Sequence, residues 1–236
     1  MAFSFTKPII VEFNGLPGSG KTSLANLFRT ELESSGVKVF TKYYKYTIPN
    51  RRYLPLFMPK YYRVLYNVDR LSRTFPTSKE LYLKLSFVNF IHMYNTFLSD
   101  SNSGVLLIDQ GIVQALLSLA YDDLFPDSIE TQKMIRSLLE DCHLFNLPIF
   151  FINCSTSVEL SKDRIRSRPR KNGAFRLESV ENDSDLTDIL KIQDDNLKSL
   201  RNILKDMAPN RCFYLNMDNP LNVNVALLSS FLKSTN

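Results

Sequence analysis

An α/β fold, with a parallel sheet covered by helices on both faces, is the architecture predicted by this 236-residue sequence, and two observations predict it. Short apolar, β-branched runs alternate along the chain with longer segments of helical periodicity, the pattern of strands joined by crossover helices. Between the first such strand and the first such helix lies Gly15-Leu16-Pro17-Gly18-Ser19-Gly20-Lys21-Thr22. This is a complete match to G-x-x-x-x-G-K-[ST], the loop (P-loop) that wraps the phosphates of a nucleoside triphosphate.

Taken in order, Pro8-Ile9-Ile10-Val11-Glu12-Phe13 reads as a buried strand, and 22–33 as an amphipathic helix with Leu24, Leu27 and Phe28 on one side. Gly36 stops that helix, and 37–44 reads as the second strand. After a loop at 46–50, the stretches 56–73 and 78–98 carry aromatic and aliphatic residues at helical spacing, separated by Phe75-Pro76-Thr77. They form a helical insertion at about 46–100. A turn at Ser101-Asn102-Ser103-Gly104 leads into a third strand, Val105-Leu106-Leu107-Ile108-Asp109. Helices at about 112–121 and 128–145 precede a fourth strand at 148–154. A helix from Ser157 carries Arg164-Ile165-Arg166-Ser167-Arg168-Pro169-Arg170-Lys171 and breaks at Asn172-Gly173. A polar stretch at 178–185, a long helix at about 186–207, a strand at 211–215 and a helix at 221–232 follow. No repeat or linker divides the chain, so 1–236 reads as one domain.

Each position of the loop has a chemical reason. Gly15, Gly18 and Gly20 permit backbone angles that turn successive N–H groups inward as an anion site. Ser19 and Ser23 flank the same wrap, Lys21 brings a mobile charge to the β- and γ-phosphates, and Thr22 offers a hydroxyl to Mg²⁺. The helix that follows directs its positive end at the phosphates. Asp109, at the tip of an apolar strand, is the carboxylate expected to hold Mg²⁺ beside Thr22 or, in the other reading, to accept a proton from a hydroxyl acceptor. In parallel sheets ligands gather at the carboxyl ends of the strands, where the loop, Lys42, Tyr43, Tyr44, Asp109 and the stretch after the fourth strand all fall.

The formal charge is +5 and the isoelectric point about 9.0. Much of the excess lies in two clusters near expected phosphate sites, which favours small polyphosphate ligands over nucleic acid. The three cysteines show no metal spacing, and Cys154 and Cys212 lie in or beside apolar strands, so they read as reduced core residues. His92 and His143 read as structural. With no secretory signal pattern and no apolar run of membrane-spanning length, a soluble cytoplasmic protein without membrane contact is the expectation. A homodimer is compatible with these readings.

The order of elements, the strand-ending Asp109 and the Arg-rich segment after the fourth strand resemble the nucleoside monophosphate kinases, thymidylate kinases above all. That resemblance covers nearly the whole chain in layout. It implies a P-loop three-layer sandwich with strand order 2-3-1-4-5, ATP and Mg²⁺ as donor, and an Arg-rich lid, here about 164–182. It assigns Arg164 and Arg168 to the lid's Arg-x-x-x-Arg pattern, with Arg170 and Arg176 beside them, since guanidinium groups fork onto phosphate oxygens as charge spreads during transfer. It places the acceptor beyond the second strand, where Tyr43, Tyr44, Arg51 and Arg52 offer stacking faces and phosphate partners. Two departures weaken dTMP as the acceptor without weakening ATP: Gln110 stands where the family has Arg after its strand-end Asp, and Asn14 where it has Glu before the first loop Gly. Gln110 and Gln114 could instead hydrogen-bond a neutral acceptor.

The function expected from these residues is transfer of the γ-phosphoryl group of ATP to a small acceptor, a nucleotide, nucleoside or related hydroxyl compound. A nucleotide-dependent switch or assembly ATPase is the alternative, and a nucleic-acid end kinase a third reading supported only by the basic charge. Asn153-Cys154-Ser155-Thr156 lacks the Asn/Thr-Lys-x-Asp pattern that reads guanine, and Asp109 is followed by Gln110, not the Glu that motor ATPases use to activate water.

Overall fold

The computed structural model describes residues 5–41, 61–74, 80–117, 129–168, 177 and 180–235. Five strands, Ile9–Gly15 (β1), Val39–Thr41 (β2), Val105–Ile108 (β3), Ile149–Ser155 (β4) and Cys212–Asn216 (β5), form one sheet in the order β2-β3-β1-β4-β5. Every neighbouring pair is parallel. The predicted class and strand order are therefore the observed ones. The order reverses at β1, which has β3 on one side and β4 on the other, so the crevice beyond its carboxyl end is the topological switch point at which such sheets bind ligands.

Eight helices are described: Lys21–Ser34 (α1), Tyr62–Thr74 (α2), Glu80–Asp100 (α3), Ile112–Leu117 (α4), Ile129–Asp141 (α5), Val158–Arg166 (α6), Asp183–Met207 (α7) and Leu221–Ser234 (α8). Because side chains alternate across a strand, β1 feeds two cores. Ile10 joins Leu106, Ile108, Ile149 and Phe151 under the helices of the insertion, α4, α5 and α7. Ile9, Val11 and Phe13 join Val105, Leu107, Ile152 and Cys154 under α1 and α8. All seven residues of β1 are buried, as expected of a central parallel strand. A smaller cluster of Ile165, Leu177, Leu186 and Leu190 joins α6 to α7.

Several boundaries move. The buried stripe of α1 is Leu24, Ala25, Phe28 and Leu32, while Leu27 is 40% exposed: it lies three residues from Leu24, and the stripe turns the other way, through Ala25 and Leu32. The helix expected over 128–145 ends at Asp141, because His143 takes a left-handed backbone (φ 52°) and starts a short 3₁₀ turn, Leu144–Asn146. Helix α7 begins inside the stretch read as polar loop, where Asp183 and Asp185 suit the positive pole of its first turn and Arg166 pairs with Asp183 at 2.7 Å. Cys142 and Cys154 are buried and Cys212 half-buried, all as free thiols. Among the described residues no helix is long and apolar enough to cross a membrane.

Candidate functional site

The phosphate loop leaves β1 at Gly15 and enters α1 at Lys21, so the helix starts directly under the loop. No side chain caps α1 and no acid lies in its first turn, whereas α6 has Ser157 accepting from the Leu160 amide. Its first N–H groups and its positive pole are left for an anion. The Lys21 ammonium, 8% exposed, donates to the carbonyls of Gly15 and Leu16, each at 2.8 Å, and so sits within the loop. Burial lowers its pKa to about 8, with Cys154 and Asp109 drawing it back up. Gly18 is held at φ 83°, close against the carbonyl of Ser161 on α6. Ser19 is buried, and Thr22 and Ser23 are exposed at the start of α1.

Thr22 Oγ1 donates to Asp109 Oδ2 at 3.2 Å across 87 residues of sequence. The donor set fits Mg²⁺: both atoms are hard oxygens, and adjacent corners of an Mg²⁺ octahedron with ligands at about 2.1 Å lie about 3.0 Å apart. One hydroxyl and one carboxylate are also what a cation that keeps waters and phosphate oxygens asks of a protein. Among the described residues no group of three His, Cys, Asp or Glu gathers to hold a metal by itself. Asp109→Asn, which keeps the acceptor oxygen and removes the charge, is expected to reduce the tightening of ATP by Mg²⁺ about tenfold or more. Titrating a fluorescent ATP analogue with and without Mg²⁺ measures it, and an unchanged Mg²⁺ effect would remove Asp109 as a ligand.

The arginines after β4 divide their work. Arg164 is half-buried and reaches the phosphate loop: Nη1 donates to the Ser19 carbonyl and Nη2 to the Met217 carbonyl beyond β5, both at 3.2 Å. Arg166 is bound to the start of α7 through Asp183 Oδ1 at 2.8 Å and the Val180 carbonyl at 2.6 Å. Arg168 is exposed, and close enough to Lys21 to depress its pKa. A cation absent from the sequence reading, Arg201 on α7, is buried and donates to the Cys154 carbonyl at 3.0 Å, at the tip of β4. It too acts on the Lys21 charge. An Arg inside a helix of mixed charge gives no sign that it turns inward.

Beside the Thr22–Asp109 pair lies a cleft of about 300 Å³ lined by Thr22, Ala25, Asn26, Arg29, Thr41, Leu107 and Asp109. Thr22, Asn26 and Arg29 are spaced i, i+4, i+7 and so share one face of α1. That spacing was available in the sequence, masked by the helix reading as a simple amphipath. Gln110 is exposed beside Asp109. Tyr43, Tyr44, Arg51 and Arg170, together with Lys42, Arg52 and Arg176, lie outside the described residues. Asn14 is fully buried, in register with the equally buried Asn153 of β4.

A second residue that sequence reading passed over is Glu12. It is fully buried in β1, accepts from the Tyr94 hydroxyl at 2.9 Å and from the Val113 amide at 2.8 Å, and its pKa is pushed up to about 7 by burial. The unfolded chain ionises this carboxyl near 4.5, so the folded state binds the extra proton between 4.5 and about 7 and loses stability as pH rises through that window. Above it, the penalty is about 3 kcal/mol. Glu12→Gln is therefore expected to melt higher relative to wild type at pH 8 than at pH 5, by several degrees, since a chain this long shifts about 2–4 °C per kcal/mol. A difference that does not vary with pH would show that Glu12 ionises normally.

No family model matches the chain, and no curated protein sequence matches it. Similar chains occur among solved structures. A deoxyadenosine kinase from M. mycoides with bound dATP is 13% identical over 95% of this chain and 99% of its own, with a TM-score of 0.49. The same enzyme with products dCMP and a flexible dCDP bound is 14% identical over 96% and 100%, with a TM-score of 0.48. The strand order, the parallel crossovers and the loop between β1 and α1 by themselves make this chain a P-loop α/β fold.

Proposed function

We propose that the protein transfers the γ-phosphoryl group of ATP·Mg²⁺ to a small acceptor, a nucleoside, nucleotide or related hydroxyl compound. The observation that carries this reading is the meeting of Thr22 and Asp109 at the mouth of the phosphate loop, beside a cleft of acceptor size. The first amides of α1 and Lys21 hold the triphosphate, and Arg164 and Arg168 add charge on its α6 side. Thr22 and Asp109 would hold Mg²⁺, which when bound would supply charge neutralisation and orientation of the phosphates. The acceptor enters the cleft between α1 and the tips of β2 and β3, with Asn26, Arg29 and Gln110 at hand. Such transfer relies on positioning and electrostatic stabilisation, so the site needs no nucleophilic side chain.

Incubation with γ-labelled ATP, Mg²⁺ and panels of nucleosides, nucleotides and other hydroxyl metabolites tests the reading. Label is expected on one acceptor class, with little free phosphate. Release of free phosphate alone, stimulated by a protein partner, would instead identify a switch ATPase.

A further inference from the structure

Asp109 stands at the end of β3 in the short turn Asp109-Gln110-Gly111 that leads to α4, and Glu12 reaches this turn from the neighbouring strand. The cross-strand partner of Glu12 is Ile108, the residue before Asp109. Its carboxylate accepts from the amide of Val113 in the first turn of α4 at 2.8 Å, and the Tyr94 hydroxyl of α3 steadies the other oxygen at 2.9 Å. Gly111 lies against the same carboxylate: a Cβ there would stand 2.5 and 2.6 Å from the two oxygens and closer still to the carbon between them. The turn is thus held by strand pairing at its start and by the Glu12 carboxylate at its end. A hydrophobic side chain would satisfy a fully buried strand position without the desolvation of a carboxyl group, as Ile10 does on the same face. What Glu12 adds is a fixed acceptor aimed at the beginning of α4.

We propose that Glu12 is a positioning residue for phosphoryl transfer: through the Val113 amide and the space cleared at Gly111, it sets the turn that holds the Asp109 carboxylate opposite the Thr22 hydroxyl. This rests on the reading of Thr22 and Asp109 as the Mg²⁺ pair. Glu12 touches neither the donor nor the metal, so its effect is confined to the Mg²⁺-dependent part of donor binding.

The test is titration of a fluorescent ATP analogue in EDTA and in saturating Mg²⁺, with the full chain. Wild type is expected to bind more tightly with Mg²⁺. In Glu12→Ala and in Gly111→Ala, affinity in EDTA should stay within roughly twofold of wild type while the gain from Mg²⁺ falls about tenfold. Glu12→Gln, of the same size and with an oxygen for the Val113 amide, should keep the gain. A wild-type Mg²⁺ gain in both Glu12→Ala and Gly111→Ala overturns the proposal, as does loss of the gain in Glu12→Gln or an equal loss in EDTA and Mg²⁺ for a folded Gly111→Ala. If Glu12→Ala does not fold, Glu12→Gln and Gly111→Ala decide. A wild type that binds the analogue with no Mg²⁺ gain removes the metal reading, and this proposal with it; gain in wild type with no effect in the variants removes the proposal alone.

Discussion

Lys21→Ala yields a folded protein that binds ATP weakly and transfers almost no phosphoryl group; that is the expected result, and two opposing effects on stability explain the first part. The mutation removes two charge-assisted hydrogen bonds, to the Gly15 and Leu16 carbonyls at 2.8 Å, each worth about 1.5–3 kcal/mol where it satisfies the pair. It also removes an ammonium that burial has already pushed down to a pKa of about 8, so a desolvation penalty of the same order disappears. The two effects largely offset, so the melting temperature moves less than loss of the hydrogen bonds alone would require. Catalysis has no such offset. In the proposed transfer the ammonium would meet the β- and γ-phosphates, and loss of one preorganised donor to a developing charge lowers turnover by about 10²–10³ or more. Lys21→Arg is not expected to rescue it, because a planar guanidinium does not fit a site 8% exposed and bounded by two carbonyls. Turnover within a few fold of wild type in a folded Lys21→Ala protein would exclude Lys21 from the mechanism.

The loop and the sheet were legible for the same reason: both are local signals repeated along the chain. A parallel strand buried on both faces reads as an apolar run, and the loop's residue types are dictated by the triphosphate, so neither depends on what lies far away. Asp109 was legible because the loop motif predicts a carboxylate on a neighbouring strand tip. Glu12 was not. On the page it is one polar residue in a strand, and its meaning depends on Tyr94, 82 positions on, and Val113, 101 positions on, which only the fold brings to it. Nor does Gly111 read as anything but a turn residue until the carboxylate beside it is seen. The arginine run shows the other limit. Spacing predicts that Arg164 and Arg168 share a helix face, but the helix ends at Arg166 and leaves Arg168 beyond it; nor does spacing show that Arg164 is bound to carbonyls of the loop and of the segment after β5, or that Arg166 clasps the start of α7. Charge runs announce where positive potential lies and leave its use to tertiary contacts.

Gly18→Ala is expected to reduce nucleotide affinity sharply. Two effects combine. The backbone at Gly18 is left-handed, φ 83°, which costs an alanine about 1–2 kcal/mol. The added Cβ would also stand 2.5 Å from the Ser161 carbonyl and 3.2 Å from Cγ1 of Ile165, so either the loop or α6 must move. Neither moves alone: Ile165 anchors α6 in the small core with Leu186 and Leu190, and Arg164 on the same helix donates to the loop carbonyl of Ser19. A shift of an ångström in the loop would misalign the amides proposed to meet the phosphates, and displacements of that size cost about a hundredfold in productive positioning. Gly36→Ala separates the two effects, because Gly36 has nearly the same backbone, φ 81°, with nothing within 4 Å of a Cβ. Both variants should lower the urea midpoint, Gly18→Ala further, but Gly36→Ala should bind the fluorescent ATP analogue as wild type does. Equal affinities for the two variants would mean that neither the contact with α6 nor the left-handed backbone at Gly18 sets the geometry of the loop.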